Sequence, residues 1–298
     1  MHNLLPPLPY GECKDSLETL HMKMQVAGKI KLALTPFLNH WWNVAFHINA
    51  SGMTTGLIPY NNIVFEINFD LVHHELTVRT SQNKIKAISL AAGTVAEFYK
   101  EIMETLELFG IYAEIDPVPA EVPNPVRCDE DMRSTYEKDH VTNWWKVLLH
   151  SKMIFEQYRS SFRGKQSPVL FYWGSFDLNQ TRFSGKEAEP PASSGIIMKY
   201  SENEENFAIG FWHGNMSYPK AAFYSYIYPS IKGFENADIK PEEASFNAQL
   251  GEFILDYDKI RTAEDPDSLI LDFLNSTYKE CAKLAGWQIS SFVNRVPK

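Results

Sequence analysis

One predicted strand is apolar on both faces and leads directly into a cluster of polar residues. Its core, residues 171–176, reads Phe-Tyr-Trp-Gly-Ser-Phe. The polar residues that follow it are Asp177, Asn179, Thr181 and Arg182. Strands of this composition are normally buried on both sides, so the segment must lie inside a covered sheet. We therefore expect it to form the floor of a ligand site, with Trp173 and Ser175 beside the polar cluster.

The order of hydrophobic patterns predicts an α+β fold, in which antiparallel sheet is covered by four main helices. Apolar residues recur with helical spacing in long segments. The predicted helices cover approximately residues 16–34, 94–109, 134–163 and 266–285. Capping signals mark all four starts: Asp15 with Glu18, Thr94 with Glu97, Ser134 with Glu137, and Asp265 followed by Pro266. Residues 63–70 alternate between apolar and polar side chains, which is typical of a half-buried antiparallel strand.

The chain is predicted to contain two similar halves joined by a proline-rich linker. Each half, 1–116 and 134–298, reads as a helix, several strands and a second helix. Residues 117–133 contain four prolines followed by an acidic run, which favours extended chain. Two interpretations stay open: an ancient duplication fused into one unit, or the chance repetition of a common order of elements.

Composition and spacing argue against several functional classes. The formal net charge of −9 comes from 37 acidic and 28 basic residues without a basic stripe, which disfavours a nucleic-acid surface. Cys13, Cys128 and Cys281 are far apart, so neither a disulfide framework nor a zinc site is indicated. The sequence shows no signal-peptide pattern and no apolar run of membrane length. We expect a soluble, cytoplasmic protein without metal, cofactor, nucleic acid or membrane partner.

Asp177 and Arg182 are the first candidate pair for a functional site. In the functional interpretation Arg182 clamps a carboxylate or phosphate, and Asp177 acts as a base or a hydrogen-bond partner. Asn179 and Thr181 then complete the polar rim of the site. The alternative is a structural ion pair that ties a turn at the end of the strand.

The predicted strand that follows Trp41 is a second candidate. Alternation along this strand would place Trp41, Asn43 and His47 on one face. His47 is a candidate general base because an imidazole titrates near neutral pH. Asn43 would supply hydrogen bonds from the same wall. The alternative is an outward face with an exposed tryptophan.

Aromatic residues of the second half form a third candidate group. Tyr224 and Tyr226 share a strand face by their spacing, and Trp212 lies in a neighbouring predicted strand. Tyrosines at this spacing can stack on a flat ligand and donate hydrogen bonds, although more commonly they form a half-buried sheet face. On the first helix, His21 and Gln25 form a polar stripe that either reaches a cavity or lies on an exposed face.

Several segments of the chain resemble the signature segments of an uncharacterised bacterial family, a domain of unknown function. The segments are residues 39–42, 56–60, 65–69, 167–178, 181–185 and 250–253. The resemblance extends over nearly the whole chain. It implies a bacterial origin and one shared architecture, and it implies no activity, cofactor or catalytic residue.

The leading interpretation is a protein that binds a small molecule. We expect a polar or anionic ligand in an aromatic-rich pocket near Trp173, Asp177 and Arg182, with metal-free acid–base catalysis as the enzymatic version of this site. The catalytic candidates are His47, Asp177 and Arg182. The alternative is a protein-interaction or homo-oligomeric module that uses exposed aromatic residues. A concave cluster of rings would favour the first interpretation and a flat exposed patch the second, whereas fully buried rings would be core only.

Overall fold

The computed structural model describes residues 5–190 and 193–288. Over these residues the fold is α+β, as predicted, with two antiparallel sheets of six strands each. The long helices are α1 (Tyr10–Leu34), α2 (Val95–Leu108), α3 (Lys138–Ser160) and α6 (Pro266–Leu284). The second half also contains two short helices, α4 (Ile196–Ser201) and α5 (Tyr257–Ile260).

The first sheet is built from the strands between α1 and α2. They are β1 (His47–Ile48), β2 (Gly52–Thr54), β3 (Ile58–Tyr60), β4 (Ile63–Asp70), β5 (Glu75–Thr80) and β6 (Ile85–Ser89). The strand order is β1-β2-β4-β5-β6, and β3 pairs with the start of β4. Along β4, buried and half-buried residues alternate as predicted, because one face of the strand packs on the core.

The second sheet carries the polar cluster that follows residue 176. Its strands are β7 (Leu170–Tyr172), β8 (Asp177–Glu187), β9 (Glu204–Trp212), β10 (Ala222–Tyr228), β11 (Ser245–Asn247) and β12 (Glu252–Asp256). The strand order is β11-β12-β10-β9-β8-β7. At its β7 edge the sheet meets the first sheet. There the Phe46 amide donates to the Phe171 carbonyl at 2.8 Å, and the Phe171 amide donates back at 3.0 Å.

A single cluster of buried apolar side chains runs through both halves. It includes Phe69 of the first sheet, Trp144 of α3, Phe223 of the second sheet and Phe273 of α6. Residues 117–133 have no regular secondary structure and lie against α1, where the Cys128 thiol donates to a helix carbonyl. The evolutionary relation of the two halves stays a prediction.

Helix α1 begins six residues earlier than the predicted start at Ser16. Pro9 is its N-cap, and no side-chain capping bond forms there. The predicted box of Asp15 and Glu18 is therefore wrong. The predicted cap of Ser134 and Glu137 is wrong as well, because Glu137 is itself the N-cap of α3 and no side-chain capping bond forms there. Tyr10 and Cys13 are buried and extend the helical period of apolar residues toward the N-terminus. At α2 and α6 the predicted caps are confirmed, because Thr94 accepts from the Glu97 amide and Asp265 accepts from the Ser268 amide.

The segment 39–48 is not the continuous strand that alternation predicted. Asn39–Trp41 forms a 3-10 turn, and a regular strand begins only at His47. His40 and Trp41 have φ values of 57° and 59°, a left-handed conformation that a strand excludes. The period-two arrangement of Trp41, Asn43 and His47 on one face is therefore wrong.

Candidate functional site

A cavity of about 680 Å³ lies on one face of the second sheet. Its floor is formed by β8, β9, β10 and β12, and its walls by the turn at 39–44, the loops at 120–121 and 172–175, and α4. The aromatic residues that line it are Trp41, Trp42, Tyr172, Trp173, Phe183, Trp212, Tyr224 and Tyr226. The carboxylate residues that line it are Glu121, Asp177, Glu202 and Glu252. The concave space is thus both aromatic and acidic.

Strand β8 delivers three polar side chains to this cavity. Asp177, Asn179 and Thr181 line it because alternate residues of a strand share a face. The Thr181 hydroxyl donates to Asn179 Oδ1 at 2.9 Å, and Asn179 Nδ2 donates to the Tyr224 hydroxyl at 3.0 Å. These hydrogen bonds fix the orientation of the floor side chains before any ligand binds.

The Tyr224 side chain passes over Gly210 of the neighbouring strand and reaches the carboxylate of Asp177. In the sheet register, Asn179 of β8 and Tyr224 of β10 both pair with Gly210 of β9. A Cβ atom on Gly210 would overlap the Tyr224 ring, so glycine leaves the room that the ring occupies. The Tyr224 hydroxyl donates to one oxygen of Asp177 and the Ser175 hydroxyl to the other. Burial raises the pKa of Asp177, and these two hydrogen bonds oppose that rise.

Glu202 and Tyr226 form a second polar group on the same face. Asn206 Nδ2 donates to Glu202 Oε2 at 2.6 Å, and the Tyr226 hydroxyl lies 3.4 Å from Glu202 Oε1. Burial raises the pKa of Glu202, and the hydrogen bonds from Asn206 and Tyr226 oppose the rise. The rings of Tyr224 and Tyr226 are stacked with centroids 6.2 Å apart, so they connect this group to the one around Asp177.

Glu252 and Glu121 hold carboxyl groups that are protonated more readily than usual. Burial, followed by the nearby charge of Asp177, raises the pKa of Glu252 to about 7. The same two causes raise the pKa of Glu121 to about 7. Glu121 as a whole residue is exposed, but its Oε2 atom lies directly over Gly174. Its carboxylate therefore faces the wall of the cavity, and the rest of the residue faces solvent.

Two basic residues line the cavity, Lys29 and His40. Lys29 Nζ lies 4.0 Å from a carboxylate oxygen of Asp116, a residue that does not line the cavity. Burial lowers the pKa of His40. Lys165 Nζ lies 2.9 Å from His40 Nε2, and His40 Nδ1 lies 3.1 Å from the Ser201 carbonyl oxygen. These contacts describe a neutral imidazole that accepts from the lysine and donates to the backbone.

Backbone strain is concentrated around the cavity. Three lining residues have left-handed φ values, His40 at 57°, Trp41 at 59° and Glu121 at 59°. Phe176, which precedes Asp177, has a φ of 58°. Such conformations cost about 1 kcal/mol or more for residues with a side chain, and they are commonest at functional sites. The surrounding contacts therefore hold this part of the molecule in an unfavourable geometry.

The polar stripe of α1 supports the cavity wall from behind. Gln25 Nε2 donates to the Ala120 carbonyl at 2.9 Å, and Gln25 Oε1 accepts from the Ala120 amide at 2.9 Å. His21 Nε2 lies 2.8 Å from the carbonyl oxygen of Trp173 and 3.1 Å from that of Gly174. Neither predicted role for this stripe is right, because the two side chains neither line the cavity nor form an exposed face; they meet the loops of its wall from behind.

Trp173 is buried, as predicted, with 4% of its surface exposed, but the predicted strand is wrong there, because residues 173–176 form a turn between β7 and β8. Its ring lies against Gly28 of α1, where any Cβ atom would overlap it. Its Nε1 atom donates to the Val44 carbonyl at 2.9 Å. The tryptophan thus ties the loop before β8 to both α1 and the segment before β1.

Arg182 does not share the cavity with Asp177, and this part of the predicted site is wrong. The two residues are five apart on β8, so they lie on opposite faces of the strand. The Arg182 guanidinium is buried among the rings of Tyr158, Phe162 and Tyr278, and its Nη2 donates to the Tyr158 carbonyl at 2.7 Å. The expectation of an anionic ligand clamped by Arg182 therefore has no support.

The candidates near residue 41 separate in space. Trp41 lines the cavity, and its Nε1 atom donates to the Ile197 carbonyl of α4 at 3.0 Å. Asn43 is buried and holds its own turn by accepting from the Leu38 amide at 3.1 Å. His47 is exposed on the first sheet and does not line the cavity, so it stands apart from the other candidates.

Three acidic residues of the cavity were missed from the sequence: Glu121, Glu202 and Glu252. Glu121 lies in the predicted linker, and Glu202 follows α4 in an irregular segment. Glu252 starts β12, and its alternation with the buried Phe253 was the one available signal that it faces away from the core. The predicted ligand-binding roles of Ser175, Trp212 and Tyr226 stay predictions, although all three line the cavity.

Two broader properties concern only the part of the chain that the structure describes. Within residues 5–190 and 193–288, no helix has the length and apolar character needed to cross a bilayer. In the same residues, no three His, Cys, Asp or Glu side chains are grouped so that they could hold one metal ion.

Comparison with known proteins identifies a family match over nearly the whole chain. Residues 5–293 match DUF5996, which is described as a family of unknown function. The predicted resemblance to a domain of unknown function is thereby confirmed. Curated proteins and solved structures give no match.

Proposed function

We propose that this chain, which belongs to the DUF5996 family of unknown function, binds a small polar molecule in the cavity of the second sheet. The observation that carries the proposal is the hydrogen-bonded group around Asp177 at the floor of a concave, ring-lined space. The cavity of about 680 Å³ has the size of known small-molecule sites. Rings that line a concavity favour ligand binding over a flat docking surface.

The floor is suited to binding because it is already ordered. Ser175, Tyr224 and Asn179 hold one another and Asp177 in a connected set of hydrogen bonds. Tyrosine and tryptophan rings contribute contact area with few rotatable bonds, so little conformational entropy is lost when a ligand stacks on them. The strained backbone at Trp41 and Glu121 adds support, since such strain is commonest where function requires it.

Acid–base catalysis is the second candidate function, and Glu252 provides the observation in its favour. A carboxyl group with a pKa raised to about 7 can donate or accept a proton at neutral pH. Asp177 and Glu202 lie on the same face of the sheet as possible partners in proton transfer. Conversion of a bound molecule by the wild type, lost in Glu252→Gln even when that molecule saturates the variant, would distinguish catalysis from binding alone.

Native mass spectrometry of the purified protein, followed by titration of the identified molecule, tests the binding proposal. Trp41 and Trp212 line the cavity, so binding is expected to change the tryptophan fluorescence. Asp177→Asn should weaken binding at least tenfold, because it removes the charged acceptor of two hydrogen bonds while keeping the shape. Asp272→Asn on the exposed surface of α6 is the matched control.

Equal affinity of the Asp177→Asn variant and the control for the identified molecule would argue against this cavity. The alternative function, a protein-interaction module, would then be the better explanation. Its candidate surface is the apolar patch near α4, where Phe37, Leu38 and Ile196 are exposed. A change of oligomeric state on substitution of these residues would support it.

A further inference from the structure

We infer that the ligand of this cavity is a small organic cation, with a protonated amine or a quaternary ammonium group as its charged part. The inference rests on the proposed binding function and adds the chemical class of the ligand. Its basis is the combination of aromatic rings and four carboxylate residues in one concave space, namely Glu121, Asp177, Glu202 and Glu252.

The four carboxylates of the cavity form no ion pairs with the described basic residues. The ion pairs formed among the described residues include none of these four carboxylates. Lys29 lines one wall but has the Asp116 carboxylate beside it, and His40 is held as a neutral imidazole. Like charges that face one another across a low-dielectric space are unfavourable, and a positively charged ligand would relieve this.

Aromatic rings lie beside these carboxylates. Tyr172, Trp212 and Tyr226 line the same space as Asp177, Glu202 and Glu252. The face of a tyrosine or tryptophan ring attracts a cation, most strongly where water is excluded. A carboxylate or phosphate ligand would meet repulsion from the acidic groups and no buried arginine, because Arg182 lies on the other side of the sheet.

The spacing of the carboxylates favours an organic cation over a metal ion. Across the ranges 5–190 and 193–288, acidic and histidine side chains do not converge in threes on one point, as a metal ion requires. The four carboxylates instead line a cavity of about 680 Å³, which is much larger than a metal ion.

The test uses three probes of nearly equal size and different charge: benzylammonium, benzyl alcohol and benzoate. Saturation-transfer NMR or calorimetry at pH 8 gives the affinity of the protein for each of them. Benzylammonium should bind at least tenfold more tightly than benzyl alcohol, and benzoate should bind most weakly. The affinity for benzylammonium should fall as salt is added, because the attraction is electrostatic.

Substitutions connect this preference to the cavity. Glu202→Gln and Glu252→Gln should each weaken benzylammonium binding at least threefold and leave benzyl alcohol binding unchanged. Glu114→Gln removes the same charge from an exposed site and should change neither affinity. Thermal melting of each variant shows whether it remains folded. Loss of benzyl alcohol binding together with benzylammonium binding in a folded glutamine variant would indicate lost shape rather than lost charge, and would contradict the inference.

The probe series separates this inference from the proposal on which it depends. Equal binding of the three probes, or a preference for benzoate, would contradict the inference of a cationic ligand and would leave the proposed binding function intact. Absence of binding by every probe, together with the absence of a co-purified molecule, would remove both proposals.

Discussion

At the scale of single residues, Gly28 determines how closely Trp173 can approach α1. Any Cβ atom at position 28 would overlap the Trp173 ring. We expect Gly28→Ala to lower the free energy of unfolding by about 2–4 kcal/mol, because a closely packed core does not accommodate an added methyl group without displacement. Urea unfolding measures this loss, and a shift in tryptophan emission would report the displaced ring.

Gly11 provides the matched control on the same helix. It has open space where a Cβ atom would lie. Gly11→Ala should leave stability unchanged or raise it by up to about 1 kcal/mol, because alanine is the better helix former. If both alanine variants were equally stable, Trp173 would not pack as closely on α1 as the structure shows.

Glu252 should make the ligand-free protein less stable as the pH rises. Its pKa is raised from 4.5 to about 7 in the folded protein. Between these values the folded protein keeps a proton that the unfolded chain has released, so stability falls as pH rises through this window. We expect Glu252→Gln to be more stable than the wild type near pH 8, by an amount on the order of 2 kcal/mol. Near pH 5 the difference should be small.

Urea unfolding at the two pH values measures this effect. Asp177, Glu202, Glu121 and Tyr226 are the other titratable groups that face Glu252 or act on it through their charge. They are present in both proteins, so the difference between wild type and variant isolates Glu252. An identical pH dependence of the two proteins would show that Glu252 titrates normally.

At the scale of elements, Arg182 joins β8 to the C-terminal end of α3. Its Nη2 atom donates to the Tyr158 carbonyl, where the partial negative charge of a helix terminus favours a cation. Its guanidinium also stacks 4.5 Å from the centre of the Tyr278 ring on α6. Arg182→Ala should therefore destabilise the protein by about 3–5 kcal/mol, because it leaves an empty space in the core and removes the donor of the Tyr158 carbonyl.

The same substitution should not act on the cavity, because Arg182 lies on the opposite face of the sheet. In the folded fraction, the affinity for benzylammonium should match that of the wild type. Arg79→Ala on the exposed face of β5 is the control and should change stability by less than about 0.5 kcal/mol. If Arg182→Ala kept full stability but bound benzylammonium more weakly, Arg182 would have to be part of the binding site.

The elements that could be predicted from the sequence depend on local chemistry. The caps at Thr94 and Asp265 involve residues three positions apart, so the sequence contains all the information they need. The turn at His40 and Trp41 was missed because its left-handed backbone is stabilised by distant contacts, such as that of His40 with Lys165. The placement of Arg182 was missed because residues 177–182 were expected to follow a strand, whereas they belong to β8, where an odd separation from Asp177 means opposite faces.

At the scale of the whole molecule, we expect a single unfolding transition. The apolar cluster is continuous from Phe69 in the first sheet to Phe273 in α6. The two sheets also exchange backbone hydrogen bonds at Phe46 and Phe171. Urea unfolding followed by tryptophan fluorescence and by far-ultraviolet circular dichroism should give coincident curves. Two separated transitions would show that the halves fold independently.

The acidic character of the cavity is a property of the whole molecule, which explains why the sequence did not reveal it. Glu121, Glu202 and Glu252 are far apart along the chain, and no regular spacing connects them. They line one cavity because Glu202 lies just before β9 and Glu252 begins β12 of the same sheet, and because the loop at 120–121 is tied to α1. The spacing of Tyr224 and Tyr226 correctly predicted that they share a strand face, whereas the lining residues Trp42, Tyr172 and Phe183 were not among the predicted site residues.

The anchoring of the cavity wall to α1 has a consequence for how binding preference can change. Gln25 and His21 hold the wall through main-chain atoms of Ala120, Trp173 and Gly174, which every amino acid other than proline can supply. Position 121, one residue beyond the Ala120 anchor, is therefore free to vary without loosening the wall. Selection in the laboratory for neutral or negatively charged ligands could begin at this position. Asparagine at 121 is a suitable first choice because it tolerates the left-handed backbone there.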